Sequence, residues 1–166
     1  LIETELVIMS ASNLRYRFWP KDMPKSIVSK VPEIRLFEVL RRAADRFPEK
    51  VALDFYGMKM TYEELLIASQ RFATALSHMG IKKGDRVAIF LQNTPQFVIS
   101  YYGILMVGAI VVTCNPMSKE WELDYQLGDS GAKALIVLDQ LYPIVKNIKD
   151  KLKLGHIIVT CYKDFL

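Results

Sequence analysis

The stretch GIKKGDRVAIFLQNTPQF, from Gly80 to Phe97, is the most informative about the fold class. A charged turn precedes five consecutive apolar residues, Val87–Leu91, after which Gln92–Thr94 lead into Pro95. A strand that is apolar on both faces is typical of a parallel sheet covered by helices on both sides. Threonine followed by proline favours a helix start, with Thr94 as the N-cap. The stretch therefore predicts a buried strand that passes directly into a helix.

The rest of the chain repeats this alternation. Three more strands are predicted, the first two of them buried, and helices are predicted at the apolar positions with a three- to four-residue period. The strands are Ile110–Cys114, Ala134–Leu138 and Ile157–Thr160. The first helix is Leu36–Phe47, which Pro48 ends, and the second runs from Thr61 or Tyr62 to Gly80, with Leu65, Phe72, Leu76 and Met79 on its buried face. The third is Pro95–Val107, ended by Gly108, and the fourth is capped by Ser118 and ends near Gly128. The fifth is indicated by Leu141, Val145, Ile148 and Leu152 and ends at Gly155.

A hairpin is predicted ahead of this alternation, with Val51–Phe55 and Lys59–Tyr62 as strands around the turn Tyr56–Met58. Short links between alternating strands and helices imply right-handed crossovers. We therefore predict an α/β fold with a mostly parallel sheet, helices on both faces and a small β-hairpin. Residues 32–166 are predicted to form one α/β subdomain, preceded by an N-terminal extension and basic arm at residues 1–31.

Charge, aromatic content and cysteine count indicate which binding partners and which cellular location to expect. The net charge is +4, with most of the basic excess between Arg15 and Lys50. This arm is interpreted as solvated, and peripheral membrane contact stays open. Arginines and aromatic residues alternate only over the short stretch Arg15–Trp19, which is too small a cluster to indicate base stacking, so nucleic-acid binding is not expected. At the very N-terminus, Glu3 and Glu5 stand where a signal peptide needs basic residues. The two cysteines, Cys114 and Cys161, form no disulfide framework, and a reducing, cytoplasmic location is expected.

An uncharged run of eighteen residues, Phe97–Cys114, reaches the length of a membrane span. Gly108 divides it into a helix-compatible half and a β-branched half, Ala109–Thr113. A capped helix followed by a buried strand is therefore expected in place of a membrane span.

Three stretches invite a chemical interpretation. Gln92–Pro95 opens a helix, where anions bind, but it has no glycine and Pro95 lacks an N–H, so capping is favoured. Asp129–Lys133 resembles a phosphate loop in composition, but it precedes a strand; we expect a turn with Gly131 as the C-cap. Tyr101 and Tyr102 are adjacent on a helix and cannot form one stacking platform. His78 and His156 have no partners at metal-ligand spacing. No residue is proposed as catalytic, cofactor-binding or metal-binding.

Seven short motifs nevertheless occur together in one order. They are Met60–Leu65 (MTYEEL), Gly80–Ile89 (GIKKGDRVAI), Gln92–Pro95, Gly108–Val112, Asn115–Pro116, Glu122–Leu123 and Asp129–Lys133. In this combination they resemble the N-terminal part of the AMP-forming acyl-CoA synthetase family, which includes luciferases and nonribosomal adenylation domains. Phe18–Pro20 and Pro24–Ser26 resemble the fatty-acyl branch.

The resemblance implies the first α/β subdomain of a longer protein. The family joins a carboxylate to ATP, giving an acyl-adenylate and pyrophosphate, and then transfers the acyl group to CoA. It implies ATP, Mg²⁺ and CoA for the full-length enzyme. The family's Ser/Thr/Gly-rich phosphate loop, its aromatic-Gly-Glu motif and its C-terminal lysine have no counterpart in these 166 residues. No catalytic residue can therefore be assigned, and this segment by itself is expected to be inactive and to bind no cofactor.

Three hypotheses follow, one of them a membrane-associated protein that contacts the bilayer through the basic arm or the Phe97–Cys114 run. The chain is the N-terminal portion of an AMP-forming fatty acid–CoA ligase, whose partners are a fatty acid or other carboxylate and the rest of the synthetase. The alternative is a freestanding α/β binding or oligomerisation domain without catalysis. Exposed sheet edges and apolar helix faces favour self-association, so a homodimer is a possible state. The sequence does not specify the acyl chain.

Overall fold

The computed structural model describes Pro20 and residues 33–165, and the chain from Arg35 onward forms one compact unit. The predicted arm at residues 1–31 lies outside the described residues apart from Pro20, so its extent stays a prediction. The helices are α1 (Leu36–Arg46), α2 (Tyr62–His78), α3 (Pro95–Val107), α4 (Glu120–Ser130) and α5 (Tyr142–Ile148). The strands are β1 (Val51–Phe55), β2 (Met58–Thr61), β3 (Arg86–Phe90), β4 (Ile110–Thr113), β5 (Ala134–Leu138) and β6 (His156–Thr160). Short 3₁₀ turns occupy Asp139–Leu141, Lys149–Lys151 and Tyr162–Phe165.

A four-stranded parallel sheet in the order β4-β3-β5-β6 forms the centre of this unit. Successive residues of β3 point to opposite faces, because side chains alternate along a strand. Val87 and Ile89 pack with residues of α2 and α3, whereas Ala88 and Phe90 pack with residues of α4 and α5. The predicted α/β architecture with helices on both faces is thus confirmed.

The hairpin β1–β2 is antiparallel and forms a separate small sheet. Its turn has two residues, Tyr56 and Gly57, with φ of 50° and 89°, as a twisted hairpin requires. The predicted three-residue turn was therefore wrong by one residue, since Met58 already pairs with Phe55. The hairpin packs with α1, α2 and α3 around Leu40 and Leu65.

The predicted helix starts are largely confirmed. The Thr61 side chain accepts from the Glu64 N–H, and the Glu64 carboxylate accepts from the Thr61 N–H, forming a capping box before α2. Thr94 caps α3 with Pro95 in its first turn, and Gly108 ends it in the left-handed conformation at φ 81°. Gly131 likewise ends α4.

Several predicted boundaries were wrong. The α4 cap position is Lys119, whose N–H is accepted by Glu122, and not Ser118; the helix also continues past Gly128 to Ser130. The last helix is only two turns long between 3₁₀ turns, because Pro143 belongs in a first turn and prevents an α-helix from beginning much earlier.

Two predictions of burial were also wrong. Strand β4 lies at the edge of the sheet and ends at Thr113, so Ile110 is 50% exposed and only Cys114, just beyond it, is buried. Met79 is exposed because it follows the last residue of α2, His78, and does not belong to that helix's buried face.

Candidate functional site

A cleft lies at the carboxyl ends of the parallel strands, where ligands bind in open α/β sheets. The residues that follow β3, β4 and β6 reach it because parallel strands end at the same edge. The hairpin turn supplies the remaining wall. The lining consists of Phe55, Tyr56, Leu91, Gln92, Asn93, Thr94, Phe97, Cys114, Pro116, Met117 and Tyr162.

The cleft has a volume of about 480 Å³, and four of its eleven lining residues are aromatic. The rings of Phe55 and Tyr162 stack with centroids 6.2 Å apart, and Tyr56 meets Phe55 edge-on at 4.8 Å. A smaller groove of about 320 Å³ shares Phe55 and Phe97 with the cleft. Rigid aromatic walls of this kind suit a flat or apolar ligand.

Two hydrogen bonds hold the end of β6 against the loop after β3 and the first turn of α3. The Tyr162 hydroxyl donates to Gln92 Oε1 at 2.5 Å. Gln96 Nε2 donates to the Cys161 carbonyl at 2.7 Å. Both bonds span more than sixty residues of sequence, so they fix the shape of this edge of the sheet.

The turn after β6 is closed by one carboxylate. Asp164 accepts hydrogen bonds from the Cys161 N–H at 2.9 Å and from the Thr160 hydroxyl at 2.7 Å. The Cys161 thiol also donates to it at 3.2 Å. These donors, the backbone N–H first, hold the pKa of Asp164 below its ordinary value. The carboxylate is a structural cap that positions Tyr162.

The thiol among the described lining residues, that of Cys114, is unreactive. Burial raises the pKa of Cys114 to about 11, so it is protonated near neutrality and is not a nucleophile. As predicted, Cys114 packs as a small apolar residue in the core on the α4–α5 face.

The described residues that line the cleft can bind a ligand but carry no group for acid–base catalysis or for neutralising phosphate. The lining residues carry hydroxyls, amides, a neutral thiol and rings, and the described part of the cleft has no Asp, Glu, Lys, Arg or His. Such a surface can orient a ligand and exclude water. Proton transfer and neutralisation of phosphate charge need ionisable groups that these residues do not supply.

The Gln92–Pro95 stretch is a helix start and also part of the cleft wall. The Thr94 hydroxyl accepts from the Phe97 N–H at 3.4 Å, which confirms the predicted cap. Gln92, Asn93 and Thr94 nevertheless line the cleft. That this stretch does not hold a phosphate stays a prediction.

The Asp129–Lys133 stretch lies at the opposite edge of the sheet. Arg86 Nε donates to the Ser130 carbonyl at 2.7 Å, and the Lys133 N–H donates to the Arg86 carbonyl. Gly131 has a φ of 59°. The stretch is a helix-to-strand turn, as predicted, and does not reach the cleft.

The aromatic and histidine residues singled out from the sequence lie elsewhere. Tyr101 and Tyr102 meet edge-on at 81°, whereas Tyr101 stacks on Phe97, so the two tyrosines do not form one platform. A ring nitrogen of His156 lies 2.9 Å from the Met79 carbonyl oxygen. Within residues 33–165 and Pro20, no three His, Cys, Asp or Glu side chains are grouped to hold a metal.

Sequence reasoning missed the hairpin tip and Tyr162 as parts of the site. Tyr162 could have been predicted as part of the site, since it follows the last predicted strand and parallel strands end at one edge. The position of Phe55 and Tyr56 over that edge had no sequence signal. In the described part of the chain, no helix is long and apolar enough to cross a bilayer, which agrees with the division of the Phe97–Cys114 run at Gly108.

Comparison with known proteins identifies related chains. The family model described as AMP-binding enzyme matches residues 40–165. A long-chain-fatty-acid–CoA ligase of Bacillus subtilis is 42% identical over 148 residues, which are 89% of this chain and 26% of the relative. This chain thus spans about a quarter of the length of the curated relatives that it matches.

Solved structures show the same fold. A long-chain-fatty-acid–CoA ligase from Archaeoglobus fulgidus superposes with a TM-score of 0.73 at 27% identity, covering 81% of this chain and 30% of that one. An anthranilate CoA ligase in complex with anthranoyl-AMP gives a TM-score of 0.76 at 29% identity, covering 80% of this chain and 26% of that one.

Proposed function

We propose that this chain, which belongs to the family of AMP-binding enzymes, is the N-terminal portion of an AMP-forming fatty acid–CoA ligase. The longer protein would activate a fatty acid with ATP and transfer the acyl group to CoA. The observation that carries the proposal is the 42% identity to a fatty acid–CoA ligase over 148 residues. An aryl-acid ligase among the structural neighbours, at 29% identity, makes other carboxylates the competing substrate class.

The role proposed for this segment is structural. Its aromatic cleft would form one wall of the ligase's substrate-binding region. The bonds from Tyr162 to Gln92 and from Gln96 to Cys161 would keep that wall rigid. Side chains locked by such contacts hold a site in a productive geometry.

The cleft does not fit Mg-ATP by itself. Phosphate oxygens and Mg²⁺ need cationic side chains, a glycine-rich backbone cradle and carboxylates. The described lining residues include no ionisable carboxylate, lysine or arginine and no glycine. We therefore derive no adenylation step from these residues. The ATP, Mg²⁺ and CoA of the proposed reaction would be bound with residues outside this segment, and this segment alone would be inactive.

The test begins with the gene product. A polypeptide about four times as long as the matched segment is expected, by analogy with the B. subtilis relative. Purified, it should release pyrophosphate only when ATP and a fatty acid are both present, and should form the acyl-CoA when CoA is added. The 166-residue chain serves as the matched control and should release none. A longer product that activates no carboxylic acid would contradict the proposal.

The cleft's part in that activity can be tested separately. Tyr162→Phe in the longer product keeps the ring but removes the hydrogen bond to Gln92. Loss of one such bond is expected to lower kcat/KM several-fold, with about 1 kcal/mol or less of destabilisation. Tyr142→Phe, on α5 and outside the cleft lining, is the control and should leave kcat/KM unchanged.

A freestanding binding or oligomerisation domain is the second candidate. The observation that favours it is the exposure of large apolar side chains, with Met117, Trp121 and Tyr125 each at least 70% exposed. Such a domain would form a homodimer or bind another apolar surface. A cytoplasmic location and, at most, peripheral membrane contact belong to both candidates. A gene product that ends at residue 166 and forms a stable dimer would support this alternative.

A further inference from the structure

Three large apolar side chains are exposed on α4 and in the turn before it, next to the cleft. Met117, Trp121 and Tyr125 are 81%, 70% and 72% exposed. Trp121 and Tyr125 are four residues apart and so share one side of α4, and Met117 lies in the turn that leads into the helix. Burying a large aromatic side chain removes about 150–250 Å² from water. The two aromatic residues together with Met117 reach the roughly 300–600 Å² typical of the largest functional patch on a monomer. We call these three residues the Trp121 surface.

We propose that the Trp121 surface is where the polypeptide that follows residue 166 packs in the longer protein. The inference rests on the proposed function, because it needs that longer protein. The relatives have about three quarters of their length outside the matched region. Polypeptide of that extent needs apolar contact area on the part of the molecule described here.

The course of the chain supports this occupant. The last described turn, Tyr162–Phe165, lies at the cleft, and Tyr162 forms part of its wall. Met117 lines the same cleft from the opposite loop. The last described turn packs on the α2–α3 face through Tyr162 and Phe165, whereas α4 covers the other face. A following segment therefore reaches the Trp121 surface by passing over the carboxyl ends of the strands, where Met117 lines the cleft.

The charges around the surface argue against the other occupants. The first turns of α4 carry Glu120, Glu122 and Asp124 against the single ammonium of Lys119. Two copies joined by a two-fold axis through this surface would bring these carboxylates together, and like charges across an interface are unfavourable. Anionic lipid headgroups would be repelled for the same reason. The segment that docks here should therefore be apolar with lysines or arginines at its edge.

Hydroxyl-radical footprinting with mass spectrometry tests the proposal residue by residue. The longer gene product and the 166-residue chain are oxidised in parallel, with an added reference peptide to normalise the radical dose. Oxidation of Met117, Trp121 and Tyr125 is expected to be about five-fold or more slower in the longer product, as for the core of a packed interface. Equal rates in the two proteins would overturn the proposal.

Three other results would assign the surface to a different occupant and overturn the proposal as well. Protection in the 166-residue chain that disappears on dilution indicates a second copy. Protection in that chain at every dilution indicates its own N-terminal residues. Protection of the longer product only in the presence of vesicles containing anionic lipid indicates a bilayer.

A pair of variants provides an independent readout. Trp121→Ser should lower the Tm of the longer product by about 3 °C or more and leave the 166-residue chain unchanged. Ile67→Ser, at a 40%-exposed position on α2, is the control and should lower the Tm of both proteins alike. A Trp121→Ser shift that is no larger in the longer product than in the 166-residue chain would count against docking at this surface.

Failure of this inference is distinguishable from failure of the proposed function. A longer product that activates fatty acids but leaves Trp121 exposed refutes the docking surface alone. A longer product that protects Trp121 but activates no carboxylate refutes the ligase assignment alone. A gene product that ends at residue 166 refutes both.

Discussion

The crossing of α2 and α3 depends on the absence of a side chain at Gly103. A Cβ atom built there would lie 2.7 Å from Phe72 Cδ1 and 3.1 Å from the Ser69 carbonyl oxygen. The Phe72 ring is a movable neighbour, but the Ser69 oxygen belongs to the backbone of α2. Gly103→Ala therefore forces the two helices apart or bends one of them.

The size of the change in stability follows from two opposing effects. Alanine in a helix interior is favoured over glycine by about 0.5–1 kcal/mol. Overpacking a close-packed core costs typically 1–3 kcal/mol. Overpacking outweighs the gain in helix propensity because one of the two short contacts is to backbone. We expect Gly103→Ala to lower the free energy of unfolding by about 1–2 kcal/mol, although alanine is the better helix former.

Gly128 supplies the matched control. It also lies within a helix, α4, and a Cβ there would meet nothing within 4 Å. Gly128→Ala should therefore gain only from helix propensity, by about 0.5–1 kcal/mol. Urea unfolding followed by circular dichroism at 222 nm measures both variants in the 166-residue chain. The difference between them isolates the packing cost.

A double-mutant cycle assigns that cost to its contact. Phe72→Leu removes the ring atom nearest to the new methyl group, so Gly103→Ala should be less destabilising in that background. If Gly103→Ala and Gly128→Ala had the same effect on stability, the close approach of α2 and α3 at Gly103 would be refuted.

Three further predictions concern an ion pair, a helix cap and the cysteines. Two hydrogen bonds lower the pKa of Asp85: first the one from Lys133, 2.6 Å away, and then the one from the Lys82 N–H. Because the pKa is lower in the folded state, the ionised Asp85 stabilises the fold above the unfolded-state pKa of about 3.8. This stabilisation is lost as the pH falls through the folded-state pKa. Urea midpoints should thus decline more between pH 5 and 3 for the wild type than for Asp85→Asn, and equal declines would contradict this. Thr61→Ala removes the capping box of α2 and should cost about 1 kcal/mol in urea unfolding, whereas no loss would mean that the cap is not formed. At pH 8 a thiol reagent should modify Cys161 quickly but Cys114 only on unfolding, because the buried Cys114 has a pKa of about 11; fast loss of both thiols would show that the core around Cys114 opens.

The elements that local sequence specifies were predicted well. The apolar run of β3, the Thr94–Pro95 helix start and the Gly108 stop were all confirmed, because each depends on residues within a few positions of one another. Errors arose where distant residues control the outcome. The exposure of Ile110 follows from the edge position of β4, and strand order is set by which helices cover which face.

The linear sequence was sufficient to predict the family and the fold class. Motif order and hydrophobic period can be recognised along the chain without any knowledge of contacts. The cleft and the Trp121 surface, in contrast, exist only in the folded chain. Phe55, Gln92 and Tyr162 are separated by 37 and 70 positions along the chain. Gln92 and Tyr162 meet because parallel strands end at the same edge, and Phe55 reaches them from the separate hairpin. In the sequence, Trp121 is one residue of an amphipathic helix, and only the packing of Leu123 and Leu127 beneath α4 shows that it faces outward.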